Sequence, residues 1–114
     1  MNHSFVDSQF LKNYQMKSYD LVDKYPEMFS ELWPSYGATF DVSIHWLPVI
    51  DKLLGILKHR RNRNGWQGMQ IIQIKQKFGE LRFYVDEADS VEYKWSDAAC
   101  KACLEICEHC GSKK

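Results

Sequence analysis

The sequence has no excess charge of either sign. Its 114 residues carry 15 lysines and arginines against 15 aspartates and glutamates. That balance excludes a whole-molecule electrostatic drive toward nucleic acid or membrane and leaves only local patches to act. No apolar run approaches the ~20 residues of a membrane-spanning helix, so no membrane partner is expected. The start, Met-Asn-His-Ser-Phe-Val-Asp, lacks both the charged and the apolar segment of a secretory signal. Internal repeats are missing, and low complexity is confined to Lys113-Lys114. There is no Gly-rich phosphate loop, metalloprotease His-Glu-x-x-His or nucleophile elbow, and His3, His45, His59 and His109 are scattered along the chain. These absences give a single cytosolic domain, residues 1–114, that is not an enzyme. Its length is enough to bury a core without staples.

What is present is patterned. Leu81, Phe83 and Val85 alternate with Arg82, Tyr84 and Asp86, the period of a half-buried strand. Upstream, Ile72, Ile74 and Phe78 share a parity opposite to Lys75 and Lys77. A turn at Phe78-Gly79-Glu80, with Gly79 supplying positive φ, joins the runs into a hairpin of Gln70–Lys77 and Glu80–Asp86. A looser alternation of Phe40, Val42 and Ile44 within 38–44 marks a possible third strand.

A lone hairpin is marginal in water, so helices must cover it. Ser8–Tyr25 reads as a helix, with Leu11, Tyr14, Leu21, Val22 and Tyr25 on one face. Pro26 suits the first turn of a short helix to Leu32, and Trp33-Pro34-Ser35-Tyr36-Gly37 breaks the chain. His45–Arg61 is the strongest helix, capped by Ser43. Trp46, Leu47, Val49, Ile50, Leu53, Leu54, Ile56 and Leu57 cover half its wheel, and Asp51, Lys52, Gly55 and Lys58 the rest. Asn64-Gly65 then signals a turn. Asp89 and Glu92 have capping-box spacing for a last helix, Ser90 to Glu108, which Gly111 is placed to end. The fold class is α+β: a small antiparallel sheet covered by amphipathic helices.

The last helix carries Cys100, Cys103, Cys107 and Cys110. Their spacing puts all four within an arc of about 80° at ~100° per residue, beside a second non-polar arc of Val91, Trp95, Ala98, Ala102 and Ile106. In a reducing compartment such a cluster favours metal over disulfides. Three readings stand: a zinc site, core thiols, or a redox pair. Zinc imposes a condition. Zn–S bonds of ~2.3 Å hold the sulfurs within about 4 Å of one another, whereas a straight helix separates Cys100 from Cys110 by about 15 Å. Four ligands therefore require a break in the helix, a smaller ligand set, or two chains sharing one site.

Several stretches resemble a family of small bacterial, phage and prophage proteins. Its hallmark is similar to Ile74-Lys75-Gln76-Lys77-Phe78-Gly79-Glu80-Leu81-Arg82-Phe83-Tyr84, and its Trp-led helix to Trp46-Leu47-Pro48-Val49-Ile50-Asp51-Lys52-Leu53. Tyr25-Pro26-Glu27-Met28-Phe29 and Cys107-Glu108-His109-Cys110-Gly111 match two further motifs. In many members another cysteine or histidine pair follows the Cys-Gly and is able to complete a zinc site. Here Cys100 and Cys103 are the thiols available in its place. The resemblance implies no activity. It does imply a phage-type accessory protein.

Three functional readings follow. A chain with six Tyr, six Phe and four Trp and no catalytic constellation fits a protein that docks on a host or phage macromolecule, inhibition of a host defence complex (an anti-CRISPR role) included. The second is a nucleic-acid module: Arg60, Arg61 and Arg63 supply phosphate contacts and Trp66 a stacking surface in the basic stretch 59–66. The third is a zinc-stabilised interaction protein, with dimerisation through the cysteine helix. Arg82 on the hairpin, with Glu80 beside it, is a further candidate binding residue, and a cross-strand charge pair of this Glu–Arg strand with Lys75 or Lys77 is the plainer account.

Overall fold

The computed structural model describes residues 17–29, 40–64 and 69–113. In chain order these form α1 (Ser18–Lys24), a 3-10 turn at Pro26–Met28, β1 (Phe40–Asp41), a 3-10 turn at Ile44–Trp46, α2 (Leu47–Asn64), β2 (Gln70–Lys77), β3 (Glu80–Asp86) and α3 (Ser90–Leu104). The class is α+β. The sheet order is β1-β2-β3.

The hairpin has the expected boundaries. Its apolar parity differs from the sequence reading for a definite reason. Ile71 pairs with Val85 and Gln73 with Tyr84, so Ile72 is an extra residue in a β-bulge. A bulge offsets the alternation of its strand by one. Ile71 and Ile74, three apart, thus both face the core, while Ile72 is half exposed. Opposite them Leu81 is buried and Phe83 and Val85 pack on the core, as the alternation predicts. Phe78 does not join that face and projects into solvent.

The third strand exists but runs parallel to β2, pairing Phe40 with Ile74, so the sheet is mixed. The short helix expected from Pro26 to Leu32 closes after one 3-10 turn, because Phe29 is extended and bridges Ile71. Residues 8–16, the breaker cluster 33–37 and the turn at 65–68 lie outside the described residues.

α2 sits at the centre. Trp46, Leu47, Val49, Ile50, Leu53, Leu54 and Leu57 are almost fully buried. The helix runs three residues past the expected end at Arg61. Asp51, placed by sequence on the solvated face, is also buried. It is held there by α1: Tyr25 Oη donates to its carboxylate at 2.5 Å and Lys24 Nζ lies at 3.0 Å. Burial, and then the neighbouring Asp51, push the Tyr25 phenol well above its ordinary pKa.

α3 begins with the predicted capping box. Asp89 accepts from the Glu92 N–H at 2.8 Å, and Glu92 accepts from the Asp89 N–H at 2.9 Å. The helix packs on both β3 and α2, so both of its non-polar arcs have neighbours. Its buried residues are Glu92, Ser96, Ala99, Ala102 and Cys103, a face rotated away from Val91, which is exposed. It ends at Leu104, not at Glu108. Gly111, at φ +78°, closes a later turn rather than the helix.

Candidate functional site

Two tight turns meet at one end of the molecule. The first is the hairpin tip. Lys77 pairs with Glu80, leaving a two-residue loop of Phe78 and Gly79. Both have left-handed backbone, at φ +55° and +73°, which makes a type I′ turn. This turn suits Asn-Gly, because Asn and Gly enter the left-handed region most readily. A Phe there carries a cost of roughly 1–2 kcal/mol. Its ring is 87% exposed and touches little beyond the Lys77 ammonium, 5.5 Å from the centroid.

The second turn follows α3. Ile106 makes an antiparallel bridge with Lys113. Between them the Cys107 N–H donates to the Ser112 carbonyl and the Gly111 N–H donates to the Cys107 carbonyl, each at 2.8 Å. This is the knuckle. It is docked on the start of α2 by three contacts. Trp46 Nε1 donates to the Ile106 carbonyl at 3.0 Å, and Ser43 Oγ donates to the Glu108 carbonyl at 2.6 Å. The His45 ring packs against Gly111, so close that a Cβ there would stand 2.6 Å from its Nδ1. The two turns touch, since a Cβ on Gly79 would lie 3.7 Å from Glu108 Oε1. Gln76 joins them from inside the sheet, its Oε1 accepting from the Ser43 N–H at 3.0 Å. The same end exposes Ile44, Phe78, His109 and Cys110.

The four cysteines fall into two pairs. Cys103 is fully buried, and burial drives its thiol well above the ordinary pKa. Cys100, half-buried against β3, is pushed up to about 11, mainly by burial and then by Asp97, although the Phe83 N–H and Arg82 oppose the rise. Cys107 and Cys110 belong to the knuckle. Cys110 Sγ lies 3.0 Å from Ser112 Oγ. The Ser112 hydroxyl and N–H, and the adjacent Cys107 thiol, hold Cys110 below its usual pKa. Among the described residues no group of three or more His, Cys, Asp or Glu is placed to hold a metal ion. The break before Cys107 that four ligands from one chain would need is present, yet it leaves Cys100 and Cys103 on α3 and puts Cys107 and Cys110 in the turn that follows.

Two arginines of the basic stretch are held in ion pairs with the start of α3. Arg61 is bidentate to Glu92, with both bonds at 2.6 Å and only 11% of its side chain exposed, and it also donates to the Glu87 carbonyl. Arg60 pairs with Asp89 at 2.7 Å, which holds that carboxyl below the usual range. Arg63 is exposed, and Trp66 lies outside the described residues. Arg82 pairs with Glu80 at 3.1 Å along its own strand. It lines a shallow cavity of about 410 Å³ between β3 and α3, with Tyr84, Asp97, Cys100, Lys101 and Leu104.

Phe78, Ile44 and the His45–Gly111 contact were missed by sequence reasoning. Phe-Gly in a two-residue turn, where Asn-Gly is expected, is the signal that points to the first. Compared with known proteins, the chain matches no family model, no curated protein and no solved structure. No described helix is long and apolar enough to cross a membrane.

Proposed function

We propose that this chain is a small binding protein, not an enzyme, that docks on a protein partner through the end formed by the hairpin tip and the knuckle. The observation that carries the reading is Phe78. A large aromatic side chain occupies a left-handed position that disfavours it, and it is left almost wholly in water. Strain and exposure together have no role in stability. They make sense where an aromatic anchor is held ready on a rigid turn for a partner's pocket. Ile44, 66% exposed at the same end, enlarges the apolar contact. The phage-type setting, and inhibition of a host defence complex as the outcome of docking, rest on the resemblance of the motifs alone.

Nucleic-acid binding through 59–66 has weaker support, because Arg60 and Arg61 already hold Asp89 and Glu92.

Phe78→Asn separates docking from folding. Asn suits the left-handed position, so the variant should melt at or above the wild-type temperature, with a gain of about 1 kcal/mol. Affinity capture from host cells, wild type beside Phe78→Asn and Ile44→Ser, should show a partner retained by the first and lost by the variants. Identical captured sets from all three would remove this end as the docking surface.

A further inference from the structure

Cys107 and Cys110 form half of a metal site. The knuckle holds their thiols side by side, Cys110 exposed and Cys107 half-buried, on a turn fixed by two backbone hydrogen bonds and by Trp46 and Ser43 beneath it. Zinc in a structural site takes four ligands. Among the described residues, the same chain does not bring the other two to these thiols. Cys103 is fully enclosed in the core, and the Cys100 thiol is packed against β3, with the Phe83 N–H directed at it. Drawing either out would unwind the last turn of α3 and open the core. His45 is turned onto the Gly111 backbone, and His109 is directed toward Glu108, 3.7 Å away. Two thiolates at the edge of the fold make half of a four-thiolate set, which a second knuckle facing the first would complete.

We propose that one zinc ion is shared by two copies of this chain, with Cys107 and Cys110 of each copy supplying the four thiolates. Four thiolates around Zn²⁺ leave a net charge of about −2. Lys113, exposed and bridged to Ile106 at the base of each knuckle, brings one compensating positive charge per copy. The sharing does not rest on the docking reading, because Phe78 supplies no ligand.

The test uses the full chain, purified reduced and titrated with zinc or cobalt. Native mass and sedimentation should show one metal per two chains, with the mass doubling on metal addition and halving with chelator. Cobalt should give the visible spectrum of a tetrahedral tetrathiolate. Cys107→Ser and Cys110→Ser, folded by circular dichroism, should each lose metal and dimer together. Cys100→Ala and Phe78→Asn should keep both. Thiolates must be deprotonated to bind, so the dimer should weaken as pH falls. A monomer holding one metal, a metal-free protein, or loss of metal in Cys100→Ala would overturn the shared site. So would an intrachain Cys107–Cys110 disulfide as the only product of these thiols.

Discussion

Arg61 shows how far a single side chain can depart from its sequence context. It sits in a run of cations that reads as a solvated helix end, yet its guanidinium is enclosed with Glu92, which is 1% exposed. Removing one partner of a buried ion pair strands the other charge. Arg61→Gln should therefore cost roughly 3–5 kcal/mol in chemical denaturation, while Arg63→Gln should stay within about 0.5 kcal/mol of wild type. Equal effects would mean that the Arg61–Glu92 pair is not enclosed. Asp51 carries the same lesson. Its place on the helical wheel follows from the sequence, but the Tyr25 hydroxyl that covers it comes from 26 residues away. Phe78 is the converse case, with an apolar identity predicting burial that a two-residue turn forbids. Periodicity sees a residue's own element and nothing of what lies across from it.

The elements themselves were largely legible. Both hairpin strands, the cap of α3 and the apolar face of α2 follow from local chemistry: alternation, an Asp–x–x–Glu capping pair and a half-wheel of aliphatics. Two things were hidden. A bulge leaves no mark in the residue types, so the inward isoleucine was assigned to the wrong neighbour. The direction of β1 depends on α2 carrying the chain back across the sheet, which β1's own residues do not encode. Ile71→Ala should cost roughly 2–5 kcal/mol as a core truncation. Ile72→Ala should cost well under half as much, because its side chain is half exposed. Thermal melts of the pair decide the register, and the reverse order would place the bulge elsewhere. Of the candidate site, the Cys107–Cys110 turn was visible as a motif. Its separation from Cys100 and Cys103 was not, since helical spacing alone keeps all four on one arc.

At the scale of the whole molecule, two long-range hydrogen bonds lie in one place. Ser43 and Trp46 reach 65 and 60 residues forward to Glu108 and Ile106. The Trp46 indole N–H is sealed by a carbonyl that belongs to the knuckle, and it can meet solvent only when that turn lifts away. Its exchange with deuterated water is therefore a clock for a partial opening that leaves the hairpin and α2 intact. Gly111→Ala forces a Cβ against His45 at a left-handed position, so it should speed exchange of that single proton at least tenfold while amides in the middle of α2 keep their protection. If indole and helix amides speed up together, the knuckle is not a separate unit and the molecule opens as a whole. A free-standing clock of this kind also makes ligand capture at Cys107 and Cys110 visible from the far side of the turn, as a slowing of a proton that touches neither sulfur.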